Sequence, residues 1–398
     1  MDQQCHYVGL DVSLETTSIC VIDDAGAIIW RGKCRSDPDT ITAIVRQHAP
    51  GAVRVGLETG QLSNWLTLSL RRRGVPVVCM DARHAKAALS LQINKTDAND
   101  AFGLAQVVRT GWYREVAVKS MDAHTLRMLL VARSRLVSQR QATANTIRGL
   151  LKTFGLVVAR GSKGLFPVRV REQIAGNPAL IAIIEPLLAV WHAIRDQVAM
   201  LDRQMLARAR NDQVARRLMT IPGVGVVIAL AYTAVIDDPA RFRRSVSVGA
   251  YLGLTPRRYQ SGEVDTTGHI SKCGDSLLRG YLYEAAAVLL CRDGRASILK
   301  SWGLGLAKRI GMRRAKVAVA RKLAVIMHRI WSDHSEYRWP DPAWYRNARQ
   351  QQTPSAGCSR PLAWSSHGAA KVCFLCAFVS RLPAITHCSS IEMPAPQS

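Results

Sequence analysis

The sequence lacks the features of a membrane or secreted protein. Its 398 residues contain no uninterrupted apolar run of about 18 residues, the length at which a helix spans a bilayer. The start, Met1-Asp2-Gln3-Gln4, has neither the basic segment nor the apolar segment of a signal peptide. We therefore expect a soluble, cytoplasmic protein without a membrane partner.

Acidic residues are scarce relative to basic ones. The chain has 29 Asp and Glu against 54 Lys and Arg, a formal net charge of +25 that is spread along the sequence. Lys and Arg side chains release condensed counterions when they neutralise phosphates, so a surface of this kind binds polyanions. The composition predicts a nucleic acid as the main partner.

The ten cysteines do not complete a zinc site. Cys373 and Cys376 form one CxxC, with Cys358 and Cys388 at a distance on either side, but no second CxxC or HxxxH accompanies them. We predict free, mostly buried thiols at the scattered positions, which are Cys5, Cys20, Cys34, Cys79, Cys273 and Cys291.

The apolar pattern predicts an α/β plus α protein with three folded regions and a tail. Residues 1–122 alternate short strands with helices and include an antiparallel hairpin over 17–30, an order that resembles the RNase H or RuvC-like mixed sheet. Residues 123–210 are predicted to be long helices, and residues 211–338 a mainly helical C-terminal domain. Residues 339–398 are rich in Pro, Ser and Gln and are predicted to be disordered.

The helical region contains a heptad pattern. Apolar residues three and four positions apart predict a coiled-coil seam, formed by Ile184, Leu187, Trp191, Ile194, Val198, Leu201 and Met205. Pro186 is placed in the first turn of this helix, where proline is tolerated. An earlier helix over 126–154 precedes a glycine-containing link over 155–176. The two helices can pair within one chain or with another chain, and a heptad seam is typical of dimerisation.

Four acids carry the strongest chemical signal. Asp11 and Glu58 each end a predicted strand, while Asp97 and Asp100 lie three apart at a helix start, on one helix face. Without lysine partners, such a cluster needs cations, and carboxylate oxygens prefer Mg²⁺ or Mn²⁺. Two such ions can assist phosphodiester transfer. Alternatively, Asp11 is a helix cap or belongs to a phosphate loop like that of actin-like sugar kinases, and Asp97 is a helix cap.

Two segments of the C-terminal region are candidate phosphate contacts. Gly223 and Gly225 lie in Ile221-Pro222-Gly223-Val224-Gly225, which is typical of a helix-hairpin-helix turn that offers backbone N–H groups, or of a simple capping turn. Ser261 follows Arg257 and Arg258 in a predicted polar loop, where the arginines can grip a phosphate and the serine is either a nucleophile or a turn residue.

A basic helical stretch closes the C-terminal region, from Lys308 to Arg329. Its positive side chains either contact phosphates or form a solvated helix face. The sequence does not choose between the two.

Several of these segments together resemble one family, the insertion-sequence transposases that join an N-terminal DEDD, RuvC-like domain to a C-terminal serine-bearing transposase domain. The resemblance covers about residues 5–335. Its segments are Tyr7-Val8-Gly9-Leu10-Asp11, Gly56-Leu57-Glu58-Thr59-Gly60, Asn94-Lys95-Thr96-Asp97-Ala98-Asn99-Asp100-Ala101, Ile221-Pro222-Gly223-Val224-Gly225, Gly253-Leu254-Thr255-Pro256-Arg257-Arg258-Tyr259-Gln260-Ser261-Gly262, Ser271-Lys272-Cys273-Gly274-Asp275 and Leu278-Arg279.

The resemblance implies a specific activity. Mg²⁺ would be held by the four acids, Asp11, Glu58, Asp97 and Asp100, and Ser261 would form a covalent phosphoserine link to cut double-stranded DNA. A structured guide RNA, the bridge RNA, would select the DNA, and dimers would assemble into a tetramer. Lys272 would join Arg257 and Arg258 in nucleic-acid binding. The setting would be a bacterial-type cytoplasm, in association with the nucleoid.

Other classes of protein remain as alternatives at this stage. A RuvC-like nuclease or resolvase would use metal-activated water, with Ser261 structural. A non-catalytic nucleic-acid-binding protein would not need Asp11 or Glu58. An actin-like kinase would need later phosphate and adenosine loops, which the sequence lacks.

Overall fold

The computed structural model describes residues 5–339, except 91–93, 95, 160–162, 293–294 and 296. The predicted disordered tail, apart from residue 339, lies outside the described residues, and so do its four cysteines. Lys95 of the Asn94–Ala101 motif also lies outside them.

A five-stranded mixed sheet forms the N-terminal part, in the order β3-β2-β1-β4-β5. Its strands are β1 (His6–Val12), β2 (Thr16–Ile22), β3 (Ile28–Arg35), β4 (Ala52–Glu58) and β5 (Val77–Met80). β1, β2 and β3 are antiparallel neighbours, whereas β4 is parallel to both β1 and β5. The turn between β2 and β3 needs Gly26, whose φ of +86° is open to glycine. The predicted mixed sheet is confirmed.

Helices cover both faces of this sheet. On one face, α1 (Pro38–His48) and α2 (Ser63–Arg72) pack Ile41 and Leu66 against Val8 and Leu10. A short helix, α3 (Ala82–Leu89), follows β5, and α4 (Asp97–Thr110) lies on the opposite face. The approach of α4 depends on Gly9, because a Cβ there would lie 2.0 Å from the Ala101 carbonyl oxygen.

Long helices form an antiparallel pair within the chain. They are α5 (Met121–Lys152) and α7 (Pro178–Asn211), with α6 (Phe166–Ile174) between them. Ile147 and Leu151 pack with Ile184, and Leu130 packs with Met205 at the other end. The seam residues are therefore buried or half-buried inside one chain, which realises the intrachain alternative.

The structure corrects two expectations about these helices. Pro186 lies inside α7, not in its first turn, because Asn177 caps the helix by accepting a hydrogen bond from the Leu180 N–H, with Pro178 at the first position. The predicted link over 155–176 contains α6. Among the described residues α7 is also the one helix long enough, with an 18-residue stretch of mean hydropathy 1.4, to suit a membrane span by length and composition, although part of it packs against α5 and α6.

The remaining residues form a mainly helical region around the buried side chain of Tyr232. Its helices are α8 (Gln213–Leu218), α9 (Val226–Ile236), α10 (Ser247–Tyr251), α11 (Ser276–Cys291), α12 (Ile298–Ile310) and α13 (Met312–Ser332). Two short 3-10 turns complete the described helices, at Lys163–Leu165 and Pro239–Arg241. The basic stretch is thus two helices, separated at Gly311 with φ +83°.

The expected polar loop around Ser261 is instead a two-stranded sheet, formed by β6 (Pro256–Ser261) and β7 (Val264–Ile270). Gly262 starts the two-residue turn with φ +57°, which suits a tight hairpin.

The six cysteines within the described residues are free thiols. Cys20 and Cys79 are buried in the sheet core as predicted, and burial raises the pKa of both thiols. Cys5, Cys34 and Cys273 are only half-buried, and the expectation of burial is wrong for Cys291, which is exposed at the end of α11.

Candidate functional site

Asp11 and Glu58 lie side by side at the carboxyl ends of the neighbouring strands β1 and β4. The parallel register of β1 and β4 pairs Gly9 with Gly56 and Leu10 with Leu57, so the next residue on each strand is an acid. Alternate residues of a strand face the same side, so both carboxylates lie on the face that Gly9 and Gly56 turn towards α4. Both acids are half-buried.

The start of α4 brings the other two acids to the same edge. Ala101 lies over Gly9, while the Val108 carbonyl accepts a hydrogen bond from Arg54 near the start of β4, so α4 runs opposite to β1. Its N-terminal end therefore lies at the strand ends that carry Asp11 and Glu58. Thr96 caps this end, because its hydroxyl accepts a hydrogen bond from the Asn99 N–H at 3.2 Å.

Asp97 and Asp100 differ in their surroundings on this helix. Asp97 is exposed and Asp100 is half-buried. The Asp97 carboxylate forms an ion pair with Lys33 of β3, with 3.1 Å between Nζ and Oδ2. Sequence reasoning expected acids without lysine partners, and that expectation is wrong for Asp97.

Lys33 belongs to a row of side chains that crosses the sheet. The register pairs Asp11 with Ser18, and Ser18 with Lys33. Paired residues on neighbouring strands share a face, so this row leads from the lysine to the acids beneath the start of α4. Nothing in the spacing along the chain predicted Lys33, because only the pairing of β2 with β3 brings it to Asp97.

An open groove lies beside this row. It has a volume of about 600 Å³ and is lined by β2, β3 and the start of α4. Arg31 and Lys33 face it from β3, opposite Asp97. Arg31 also lies over the Phe102 ring, 5.2 Å from its centre, which ties the edge strand to α4. Two cations thus stand next to the acids.

The donor atoms suit a hard divalent cation, but the arrangement in the structure is not a closed set of ligands. Within the described part of the chain, no three His, Cys, Asp or Glu side chains are grouped closely enough to hold a metal ion. Asp97 is engaged with Lys33, and would have to turn from Lys33 towards the strand ends to join Asp11 and Glu58. The metal site remains a prediction.

Ser261 lies at the tip of the β6–β7 hairpin. All residues of the hairpin are exposed except Ile270, which is half-buried. Arg258 forms a two-point ion pair with Asp265 across the strands, at 2.6 and 2.8 Å, and Arg257 donates to the Ser271 carbonyl. In a single chain the structure therefore places the serine on a projecting surface, and the two arginines have intramolecular partners.

The root of the hairpin touches the sheet side of the protein. Arg83, in the first turn of α3, lies 3.8 Å from the Cys273 sulfur and pairs with Asp81. Hydrogen bonding to Arg83 holds the pKa of the Asp81 carboxyl at about 2. The Cys273 thiol has a lowered pKa, chiefly through its Ser271 partner and then through Arg83. Lys272, next in the chain, has φ +55°.

The two glycines of the predicted helix-hairpin-helix turn have different surroundings. Gly223 has φ +82°, and a Cβ there would lie 2.6 Å from the Ala285 carbonyl oxygen, so packing against α11 already requires glycine. Gly225 immediately precedes α9, and a Cβ there would have no neighbour within 4 Å. The turn lines a groove of about 410 Å³. Phosphate contact at this turn remains a prediction.

Two family models match the chain. The DEDD model of the IS110 type, described as "Transposase", matches residues 8–155, which include all four acids. The model described as "Transposase IS116/IS110/IS902 family" matches residues 215–298, which include the turn before α9 and the β6–β7 hairpin.

Curated transposases are similar to this chain over most of its length. A protein of Coxiella burnetii named "Transposase for insertion sequence element IS1111A" is 30% identical over 336 residues, covering 83% of this chain and 91% of that protein. A protein of Pseudomonas aeruginosa named "Probable family 20 transposase" is 28% identical over 337 residues, covering 83% of this chain and 98% of that protein.

Proposed function

This chain belongs to the IS110/IS116 family of insertion-sequence transposases, and on that premise we propose that its sheet-edge acids and Ser261 form one composite site for DNA strand exchange. Membership of a transposase family makes the protein an enzyme that cleaves and rejoins DNA during transposition. The DEDD character of the N-terminal family suggests a divalent metal. A cytoplasmic location, close to the nucleoid, follows from the same role.

The proximity of Asp11 and Glu58 beneath the start of α4 is the observation that carries the proposal. Two carboxylates on adjacent parallel strands, with Asp97 and Asp100 on the helix above, are suited to a RuvC-like, metal-dependent site. The strand order, with an antiparallel hairpin followed by parallel strands, supports that fold assignment. Mg²⁺, or Mn²⁺ in its place, would neutralise charge on the phosphodiester and on the departing oxygen.

Ser261 supplies the nucleophile in this proposal. Its Oγ forms a bond to phosphorus as the bond between phosphorus and one DNA oxygen breaks; the serine loses its proton to a base and the departing oxygen gains one. A DNA hydroxyl then attacks the phosphoserine, which releases the serine and restores a phosphodiester. The covalent link conserves the phosphodiester bond energy, and rejoining therefore needs no further energy source.

The exposed hairpin supports a site shared between subunits. In one chain no described side chain forms a hydrogen bond with the Ser261 hydroxyl, and we infer that the base that takes its proton comes from another part of the assembly. We infer a homodimer that assembles into a tetramer, in which the acids of one subunit meet the serine of another. The outer faces of α5 and α7 carry exposed apolar side chains, such as Met128 and Ile183, that suit subunit contacts.

A structured guide RNA is part of the same proposal. The net charge of +25 exceeds what a small catalytic groove requires and suits a second, extended polyanion. Arg257, Arg258, Lys272 and the N–H groups at Gly223 and Gly225 are the proposed nucleic-acid contacts. Arg258 would exchange its Asp265 partner for a phosphate.

The decisive experiment tests for the covalent link. Full-length protein with Mg²⁺, its flanking RNA and DNA carrying the element's junction should give a protein–DNA adduct that survives denaturing gels and disappears with protease. Ser261→Ala should abolish the adduct and retain DNA binding. Thr266→Ala, which changes an exposed residue of β7, is the matched control and should retain both.

A nuclease that uses water is the second candidate, because the Ser261 hydroxyl has no hydrogen-bonded base within the described residues. It predicts DNA products with free ends that form equally in Ser261→Ala. That result, or adducts that persist in Ser261→Ala, would rule out the serine mechanism.

A further inference from the structure

The C-terminal helices contain a segment of one charge sign. From Arg295 to Ser332 the sequence has ten Lys and Arg residues and no Asp or Glu. Exposed faces of ordinary helices intersperse both signs, because like charges on neighbouring turns repel. A solvated helix face therefore does not account for this segment.

Some of these cations have partners within the protein. Lys316 is buried, with its ammonium 5.9 Å from the centre of the Tyr283 ring. Lys322 lies 5.7 Å from the centre of the Trp302 ring, and Arg329 forms an ion pair with Asp333. The Arg321 side chain packs over Gly249. These cations stabilise the fold of the helices.

Four of the ten cations lie at the tip of a helical hairpin. Gly303 of α12 packs closely on Val319 of α13, so the two helices fold back on each other about Gly311. The tip carries two dibasic pairs, one on either side of Gly311, and we call them the basic tip: Lys308, Arg309, Arg313 and Arg314.

The basic tip has no charge compensation from the described part of the chain. All four side chains are exposed, and none forms an ion pair or a hydrogen bond with another described residue. Four uncompensated cations within seven residues lower the stability of the free protein slightly. They therefore suit an external polyanion, whose condensed counterions they displace.

We propose that the basic tip binds the phosphate backbone of duplex DNA outside the cut site, independently of base sequence. The inference rests on the proposed function for its partner, since DNA is the polyanion on which a transposase acts. The tip lacks the exposed aromatic side chains on which single-stranded bases stack: its exposed neighbours are Ile310 and Met312.

The test compares two variants of equal charge. One replaces the basic tip (Lys308→Gln, Arg309→Gln, Arg313→Gln, Arg314→Gln). The matched control replaces four exposed arginines elsewhere (Arg135→Gln, Arg203→Gln, Arg210→Gln, Arg216→Gln). Fluorescence anisotropy of a labelled 40-bp DNA duplex is measured against salt concentration, without divalent ions.

The basic-tip variant should lose roughly tenfold or more in affinity at low salt. Because each lost phosphate contact removes about 0.9 from the slope of log K against log salt, the slope should fall in magnitude by up to about 3.6 when all four contacts are lost. The control variant should change by less than half as much. Circular dichroism establishes that both variants are folded.

Three outcomes would overturn the proposal: an unchanged salt slope, an equal loss in the control variant, or a loss confined to a structured RNA hairpin tested in parallel. Because the measurement needs no chemistry, it is independent of the serine mechanism. Adducts that form normally while the slope is unchanged refute the basic tip alone. Absent adducts with a reduced slope refute the serine mechanism alone.

Discussion

The two halves of the proposed site are built in opposite ways. Asp11 and Glu58 lie at the carboxyl ends of strands whose preceding residues, Leu10 and Leu57, are completely buried, and α4 covers the adjoining face at backbone contact distance. Ser261 ends a strand whose six residues are all exposed, and the turn that follows it has no packing neighbour at Gly262. The acids are positioned by a packed core, whereas the serine is carried by a hairpin whose hydrogen bonds are its main internal support.

The difference shows which half can work within one chain. Packed interiors resist displacement, so the distance between Asp11 and Glu58 is fixed before any partner binds. An isolated two-stranded hairpin is marginally stable in water, so in the proposed composite site a partner would complete the surroundings of Ser261.

The largest expected effect is on catalysis by the packed half. Asp11→Asn should reduce strand cleavage by roughly 10³-fold, because a carboxylate that helps to neutralise the reacting phosphate supplies several kcal/mol. Thermal stability should change little. Asp39→Asn, at an exposed carboxylate paired with Arg73 on the other face, is the control. Cleavage by Asp11→Asn at the rate of the control would remove the acids from the mechanism.

Two glycine substitutions test the packing contrast directly. Gly9→Ala should lower the free energy of unfolding by about 3 kcal/mol or more, since its Cβ meets backbone atoms that cannot yield without moving α4. Gly262→Ala should lower the free energy of unfolding by only about 1 kcal/mol, because the new Cβ has no neighbour within 4 Å and the cost is the backbone strain of φ +57° in the hairpin turn. Urea unfolding measures both. Equal losses would contradict the contrast.

Lys119 lies on the segment that connects α4 to α5, and it gives a pH-dependent test. Burial, followed by the neighbouring Arg127, lowers the pKa of Lys119 from 10.5 to about 8. Between pH 8 and 10.5 the unfolded chain binds more protons than the folded one, so the free energy of unfolding rises with pH. The destabilisation caused by burying the charged ammonium therefore decreases across this range. Below pH 8 the cost is present in full.

Lys119→Met should therefore raise the free energy of unfolding at pH 7 by up to about 2 kcal/mol. The gain over wild type should shrink as the pH approaches 10. Denaturant titrations at a series of pH values measure the difference. If Lys119→Met raised the free energy of unfolding equally at every pH, the effect would come from packing and not from the charge of the lysine.

The smallest expected effect concerns the cation beside the acids. Lys33→Gln frees Asp97, and because exposed ion pairs contribute about 0–1 kcal/mol, Mg²⁺ should bind up to about fivefold more tightly. Isothermal titration of the protein without nucleic acid measures this, with Lys86→Gln, an exposed lysine of α3, as control. Weaker Mg²⁺ binding in Lys33→Gln would show that Lys33 supports the metal site instead of competing for it.

Sequence reasoning predicted the sheet well because its signals are local. Strands that carry Asp11 and Glu58 at their carboxyl ends and a capped helix at Asp97 are evident from apolar runs and capping residues. The helix start at Pro178 was missed because the prediction followed the heptad pattern and overlooked the local signal of Asn177 as a cap with Pro178 at the first position. The hairpin at Ser261 was missed because its strands have no apolar alternation, both faces being exposed.

Residue types and their spacing along the chain were enough to predict the N-terminal mixed sheet, the long helices, the excess of positive charge and the positions of the acids, because each of these depends on local patterns. The ion pair of Lys33 with Asp97, the pairing of the long helices within one chain and the placement of the basic tip at the end of a helical hairpin depend instead on strand register and helix packing. Neither can be read from residues that are neighbours in the sequence.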